Sequence, residues 1–201
     1  MTLKQSKERK VDYRLSPPVY AEVIKVITSK AELRKITDTY RSNLDRPKDF
    51  IPQGDGTVID KRTGLQWMRC SFGQKWTGKK CIGQSKKYNW DEAQDNFPEF
   101  ARYNDWRLPN RFELETLAFC SSGKHLDRMR KYDTLDFCGG KYKTPTIIQD
   151  IFPNTTPYWY WSSSPDKYYS HRMWGLNFNN GTTDFIEKDK KYFIRLVRTP
   201  K

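Results

Sequence analysis

Most apolar positions of the chain fall in short strand-like runs, and only three segments carry helix-start signals. Val19–Ile27 is a β-rich run. Ser29 followed by Glu32 then makes a capping-box signature, and Leu33, Ile36 and Tyr40 recur at helical spacing, which predicts a helix over about 30–43. Arg46-Pro47-Lys48 breaks it, and the chain passes through Gly54-Asp55-Gly56. Val58-Ile59-Asp60 and Leu65-Gln66-Trp67-Met68 read as two strands around a tight turn at 61–64. Asn89 with Glu92 predicts a second helix, to about Asn96, where Pro98 disturbs it. Asn110 with Glu113 predicts a third, carried by Phe112, Leu114, Leu117 and Ala118. Residues 124–157 show little periodicity and read as loops. Beyond them Tyr158–Ser163, Met173–Phe178, Thr182–Glu187 and Tyr192–Val197 read as an antiparallel meander. Asn180-Gly181 supplies the left-handed backbone of a two-residue hairpin turn.

These elements predict an α+β chain. Residues 1–50 form an N-terminal strand and helix extension, 51–56 a linker, and 57–201 a domain with two helices and the C-terminal meander. At 201 residues the chain is long enough to bury a core without relying on metals. Its first ten residues are polar and basic with no apolar signal region behind them, and nothing approaches the length of a membrane span. The export route is therefore open, and so is the oligomeric state.

Charge changes the picture most. Of a formal net charge of +13, the stretch Lys61–Trp90 supplies eight Lys and Arg with no acidic residue. Arg69, Lys75, Lys79, Lys80, Lys86 and Lys87 sit there among Trp67, Phe72, Trp76, Tyr88 and Trp90. A clustered positive field attracts polyanions, whereas scattered charge only keeps a protein soluble. Cys70 and Cys81 bracket the middle of this stretch.

The four cysteines suit two disulfides or four free thiols. Of the three connectivities, the sequential one is expected: Cys70–Cys81 and Cys120–Cys138, each adding about 3 kcal/mol by restricting the unfolded chain. That pairing favours an oxidising compartment. There is no C-x-x-C pair, and neither His125 nor His171 lies at zinc-ligand spacing from a cysteine, so no metal and no cofactor is expected.

Five pieces of the chain, in order, resemble one family. They are Val58-Ile59-Asp60-Lys61-Arg62-Thr63-Gly64-Leu65-Gln66-Trp67, the Cys70–Gly83 loop, Asn104-Asp105-Trp106-Arg107-Leu108-Pro109-Asn110, Tyr160-Trp161-Ser162-Ser163-Ser164, and Ile194-Arg195-Leu196-Val197-Arg198. Together they resemble the bacterial Lcl C-terminal domain, named for a Legionella collagen-like adhesin, over about residues 57–198. The resemblance implies a C-type-lectin-like fold, found mostly in cell-surface or exported bacterial proteins, with no general catalytic residues. The namesake's collagen-like repeats are absent. So are the E-P-N, Q-P-D and W-N-D signatures of calcium-dependent sugar sites, so a lectin-like shape licenses no such activity here. Asp105 and Arg107 read as a charge pair beside Trp106 and Trp161 that orders the scaffold.

The functional expectation is a non-catalytic binding module, an adhesin-like surface or exported protein. It would take anionic glycans or protein ligands through Arg69, Lys75, Trp76, Lys79, Lys80, Lys86 and Lys87. Nucleic acid is the weaker partner, because no nucleic-acid-binding motif is visible. A variable ligand-display protein of the diversity-generating-retroelement type is the alternative. Its paratope-like residues would be Tyr168, Tyr169, His171, Trp174 and Asn179. An enzyme like the formylglycine-generating enzymes would need Cys120 or Cys138 as a reactive thiol, or His171 as a base near Asp166 and Asp184.

Overall fold

The structure is a computed structural model that describes residues 46–94, 97–130 and 133–200. The strand expected over 19–27 and the helix over 30–43 lie outside those residues. The first sheet is built on the hairpin of β2 (Thr57–Asp60) and β3 (Leu65–Met68), with β1 (Phe50–Pro52) on one side and β11 (Val197–Arg198) on the other. Val58 pairs with Trp67, and both side chains are fully buried. The turn between them is locked by Asp60, whose carboxylate accepts the Arg62 backbone N–H at 3.0 Å and its guanidinium at 2.8 and 2.6 Å. Gly64, with φ of 68°, closes that turn in the left-handed region. Residues 51–56, expected as a linker, carry the end of β1 and its return into β2.

The second sheet is a three-stranded antiparallel meander of β8 (Trp159–Pro165), β9 (Arg172–Asn177) and β10 (Thr182–Glu187), with β9 in the middle. Asn177 pairs with Thr182, so the connection is the four residues 178–181 rather than a two-residue turn. Gly181 is left-handed with φ of 78°, and its N–H bonds to the Asn177 carbonyl at 2.8 Å.

The run at Tyr192–Val197 does not extend the meander. It is a seam between the two sheets. Phe193 exchanges backbone bonds with Trp159 and Trp161 on one side, while Ile194 and Leu196 accept from Phe72 and Met68 on the other. Being walled on both sides, Phe193 through Arg198 are all buried.

The α+β expectation is overturned. Among the described residues there are eleven strands and one α-helix, α1 (Arg111–Glu115), so the domain is mostly β. Both domain caps form. Asn110 and Glu113 make a reciprocal capping box, and Asn89 and Glu92 exchange the same pair of bonds at 2.9 Å. The helices behind them fail to propagate. After Glu115 the chain tightens into i→i−3 bonds, as in Leu117 N–H to Leu114 and Ala118 N–H to Glu115. The Asn89 cap opens only a 3-10 turn over Glu92–Gln94. A cap signals where a helix starts, but tertiary contacts decide its length.

The loop expectation over 124–157 is corrected as well. β6 (His125–Arg130) and β7 (Asp133–Cys138) form a hairpin whose base is closed by the Cys120–Cys138 disulfide. Its apolar residues recur at uneven spacing rather than in strict alternation, so the pattern carried no strand signal.

Four buried arginines hold the layers together. Arg195 is fully buried, with no carboxylate beside it among the described residues. Its guanidinium donates to the carbonyls of Met68 and Arg69 (3.0 and 2.6 Å) and the hydroxyls of Thr155 and Ser71 (2.7 and 3.2 Å). Burial pulls this guanidinium down to about 10. Arg198 pairs with Asp105 at 2.6 Å, Arg62 with Asp60, and Arg46 caps the Thr116 and Ala118 carbonyls behind α1. Asp105 and Arg107 therefore do not pair with each other: Arg107 makes a bidentate bond to Glu113, both distances 2.7 Å.

Candidate functional site

Between Cys70 and Cys81 the chain folds into a two-stranded hairpin, β4 (Lys75–Trp76) and β5 (Cys81–Ile82), closed by the Cys70–Cys81 disulfide. Both sequence-expected disulfides are present. The tip is the turn Thr77–Lys80, in which Thr77 N–H and Oγ1 both donate to the Lys80 carbonyl, at 3.0 and 3.1 Å. The returning strand is tied down by Asn154, whose side-chain amide donates to the Cys81 carbonyl at 2.7 Å. At the base Gly73, with φ of 94°, lies where any Cβ would press within about 3 Å of Lys86. The hairpin is thus fixed at its base, its edge and its tip.

Alternation on so short a strand sends rings and charges to opposite sides. Trp76 turns inward, where its indole packs on Gly56 and under the Arg69 guanidinium, 4.3 Å from the ring centroid. Trp67 and Trp90 are buried, and Phe72 and Tyr88 stack on each other at 5.6 Å. Lys75, Lys79, Lys80, Lys86 and Lys87 remain exposed, and none has an acidic partner among the described residues. Lys87 rests its ammonium 4.0 Å from the Tyr158 ring centroid. The surface is therefore a lysine face on an aromatic footing.

Arg69 departs from the expected set. Its guanidinium donates to the carbonyls of Ile151 and Asp150, at 2.8 and 2.7 Å, and burial lowers its pKa. It fastens the hairpin to the 150s loop rather than facing a ligand. Tyr158, exposed beside Lys87, belongs to the surface, and its place as the first residue of the expected Tyr158–Ser163 strand gave no hint of that.

The C-terminal set does not form one surface. Tyr168, Tyr169 and His171 lie on the β8–β9 loop, beside the end of β10 at Glu187. Asn179 sits at the opposite end of the same strands, its carbonyl accepting from Thr144 at 3.0 Å. Trp174 is buried against Phe185, with ring centroids 4.0 Å apart, under the Arg111 guanidinium. Asp184 lies on β10, its carboxylate accepting the Phe185 N–H, and Asp166 is ion-paired to Arg172 at 2.7 Å. Cys120 and Cys138 are bonded to each other, so neither offers the free thiol that the enzyme reading requires.

Tyr88 and Tyr192 exchange backbone bonds at the hairpin's inner margin, at 2.8 and 2.9 Å. Burial raises both phenols, helped by Glu92 at Tyr88 and by Tyr158, Asp189 and Glu187 at Tyr192. Glu92 is held low by hydrogen bonds from Lys191 and the Asn89 backbone. No described helix is long and apolar enough to cross a membrane.

A search of curated proteins returns no match to the chain. The profile of the Lcl C-terminal domain matches residues 56–198. All five sequence motifs lie within that span, and each now has a structural task. The first forms the β2–β3 hairpin, the second the pinned lysine hairpin, and the third the Asp105–Arg198 pair and the α1 cap. The fourth supplies β8, and the last the seam with buried Arg195. With well over half of its length matched, the chain belongs to the Lcl C-terminal domain family, a class of surface-associated domains.

Proposed function

We propose that this domain is a non-catalytic binding module that takes anionic glycans or anionic protein surfaces on the exposed lysines of the β4–β5 hairpin. The observation that carries the reading is the segregation itself. Lys75, Lys79 and Lys80 project from a hairpin fixed by a disulfide, Lys86 and Lys87 follow it in the chain, and none of the five has an acidic partner among the described residues, while the arginines of the same stretch are engaged internally. Charges held on a rigid support lose little freedom when a polyanion binds, and the release of its counterions supplies much of the affinity. Lysine ammoniums pair with sulfate, carboxylate or phosphate as point charges, without the planar geometry that an arginine fork demands. The site thus reads charge density more than chemical identity, which suits an adhesin-like role at a surface.

The test is retention of the full chain on heparin resin. Replacing Lys75, Lys79 and Lys80 together with Glu should move elution to much lower salt. These side chains are exposed, so the urea midpoint should correspond to a change of no more than about 0.5 kcal/mol per site. An unchanged elution salt in a folded triple variant would remove the hairpin as the site.

A further inference from the structure

The β8–β9 loop carries two of the most exposed large hydrophobic side chains among the described residues, Tyr168 at 63% and Tyr169 at 53%. It is not a slack loop. Asp166, whose side chain is 1% exposed, accepts the Tyr168 N–H at 2.8 Å and pairs with Arg172 at 2.7 Å. The Asp166 N–H bonds to the Arg172 carbonyl and the Arg172 N–H to the Tyr169 carbonyl, both at 3.1 Å.

Beneath Tyr169 runs a ladder of rings and guanidiniums. Arg172 lies 4.2 Å from the Tyr169 ring centroid and 5.0 Å from that of Phe185. Phe185 stacks on Trp174 at 4.0 Å, and Arg111 covers Trp174 at 3.4 Å. Arg111 is in turn anchored to Glu115 at 2.8 Å. Burying a carboxylate–guanidinium pair gives little net stability. Here its geometric effect is to hold an exposed tyrosine ring in one orientation at the end of a rigid stack.

Next to this ring lies an open groove of about 810 Å³, lined by His171, Asn89, Asp91, Glu187, Asp189 and two lysines, Lys188 and Lys190. His171 links the two features. Its ring meets Tyr169 edge-on at 5.9 Å, and its Nε2 is 3.6 Å from the Glu187 carboxylate. The carboxylates of the groove offset its lysines, so it lacks the positive excess of the hairpin. A fixed ring beside a dense set of carboxylate, amide and ammonium groups matches a ligand with an apolar C–H face and a rim of hydroxyls.

We propose that Tyr169 and this groove form a second binding site, separate from the lysine hairpin, for an uncharged oligosaccharide. A pyranose ring would lie on Tyr169, with its hydroxyls bonded to Glu187 and Asn89. The guanidinium already on one face of Tyr169 disfavours a cationic ligand, and the carboxylates disfavour an anionic one.

The test is an array of neutral glycans probed with the full chain, followed by saturation-transfer NMR on the glycans that bind. Tyr169→Ala should weaken binding at least about tenfold, the worth of one ring contact. Tyr169→Phe should retain it, and Glu187→Gln should weaken it. The Lys75, Lys79 and Lys80 to Glu variant should bind neutral glycans unchanged while losing heparin. Absence of any neutral-glycan binding would overturn the proposal. So would binding that survives in a Tyr169→Ala protein with a normal urea midpoint, or binding that disappears with the hairpin lysines.

Discussion

The lysine hairpin and the arginine-filled interior draw on the same surplus of positive charge, and the molecule uses the two cation types in opposite ways. On the hairpin, Lys75, Lys79 and Lys80 stand in solvent with no acidic partner among the described residues. In the interior, Arg46, Arg62, Arg195 and Arg198 are each at most 8% exposed and bonded to fixed oxygens. The planar fork of arginine can satisfy several acceptors at once and can be buried when they are preorganised, whereas a strongly hydrated ammonium resists burial. The lesson is that net charge in a sequence segment is not surface charge. Within Lys61–Trp90 the two arginines are bonded into the fold, and the lysines are exposed to solvent.

That contrast breaks most visibly at Arg195. Replacing it with Met takes a buried donor from the Met68 and Arg69 carbonyls and leaves the Ser71 and Thr155 hydroxyls only their bonds to Tyr160 and Phe152, with an expected cost of at least about 3 kcal/mol in urea unfolding. Arg195→Lys should rescue little, because one ammonium cannot reach all four oxygens. A loss below about 1 kcal/mol would show that the interior does not depend on its arginine.

A pair of single substitutions sharpens the comparison within the basic stretch. Arg69→Ala should lower stability by about 1 kcal/mol, through loss of its bonds to Ile151 and Asp150, with little change in heparin elution. Lys79→Ala should do the reverse, leaving the urea midpoint in place and reducing the salt dependence by about one released ion. If Arg69 mattered more to heparin than Lys79, the division between cation types would fail.

The smallest effect concerns the hairpin's margin. Tyr88 and Tyr192 have raised pKa values, so the stability gained by keeping them neutral is present below the ordinary phenol value of about 10 and is lost as pH climbs through their higher folded values. Absorbance titration at 295 nm should show a late-ionising fraction that shrinks in Tyr192→Phe. A titration curve indistinguishable from the wild type would argue against a buried phenol there.

Legibility from sequence followed the range of the interactions. The β2–β3 hairpin, the capping residues Asn89 and Asn110 and both disulfides are local features, and each formed where its residues indicated. Helix length was not legible, because the tightening after Glu115 and the Arg46 bonds to the carbonyls beyond it depend on distant packing. The Tyr192–Val197 run looked like one more strand of the meander. Burial of every residue from Phe193 to Arg198 marks it as a segment enclosed by two sheets, and only the assembled sheets reveal that. Trp174 read as a surface ring because neither Arg111 nor Phe185 announces from the sequence that it will cover it.

By itself the sequence determined where charge accumulates, which cysteines close short loops, which family the motifs belong to and where turns and caps begin. These properties belong to single residues or near neighbours, and short-range sterics and hydrogen bonding settle them. Tertiary structure alone decided which cations face inward, that the domain is mostly β, and that Tyr169 stands on a stack reaching back to Arg111. Those outcomes depend on residues brought together from far apart in the chain, and burial and oxygen acceptors acquire a position only once the sheets have assembled.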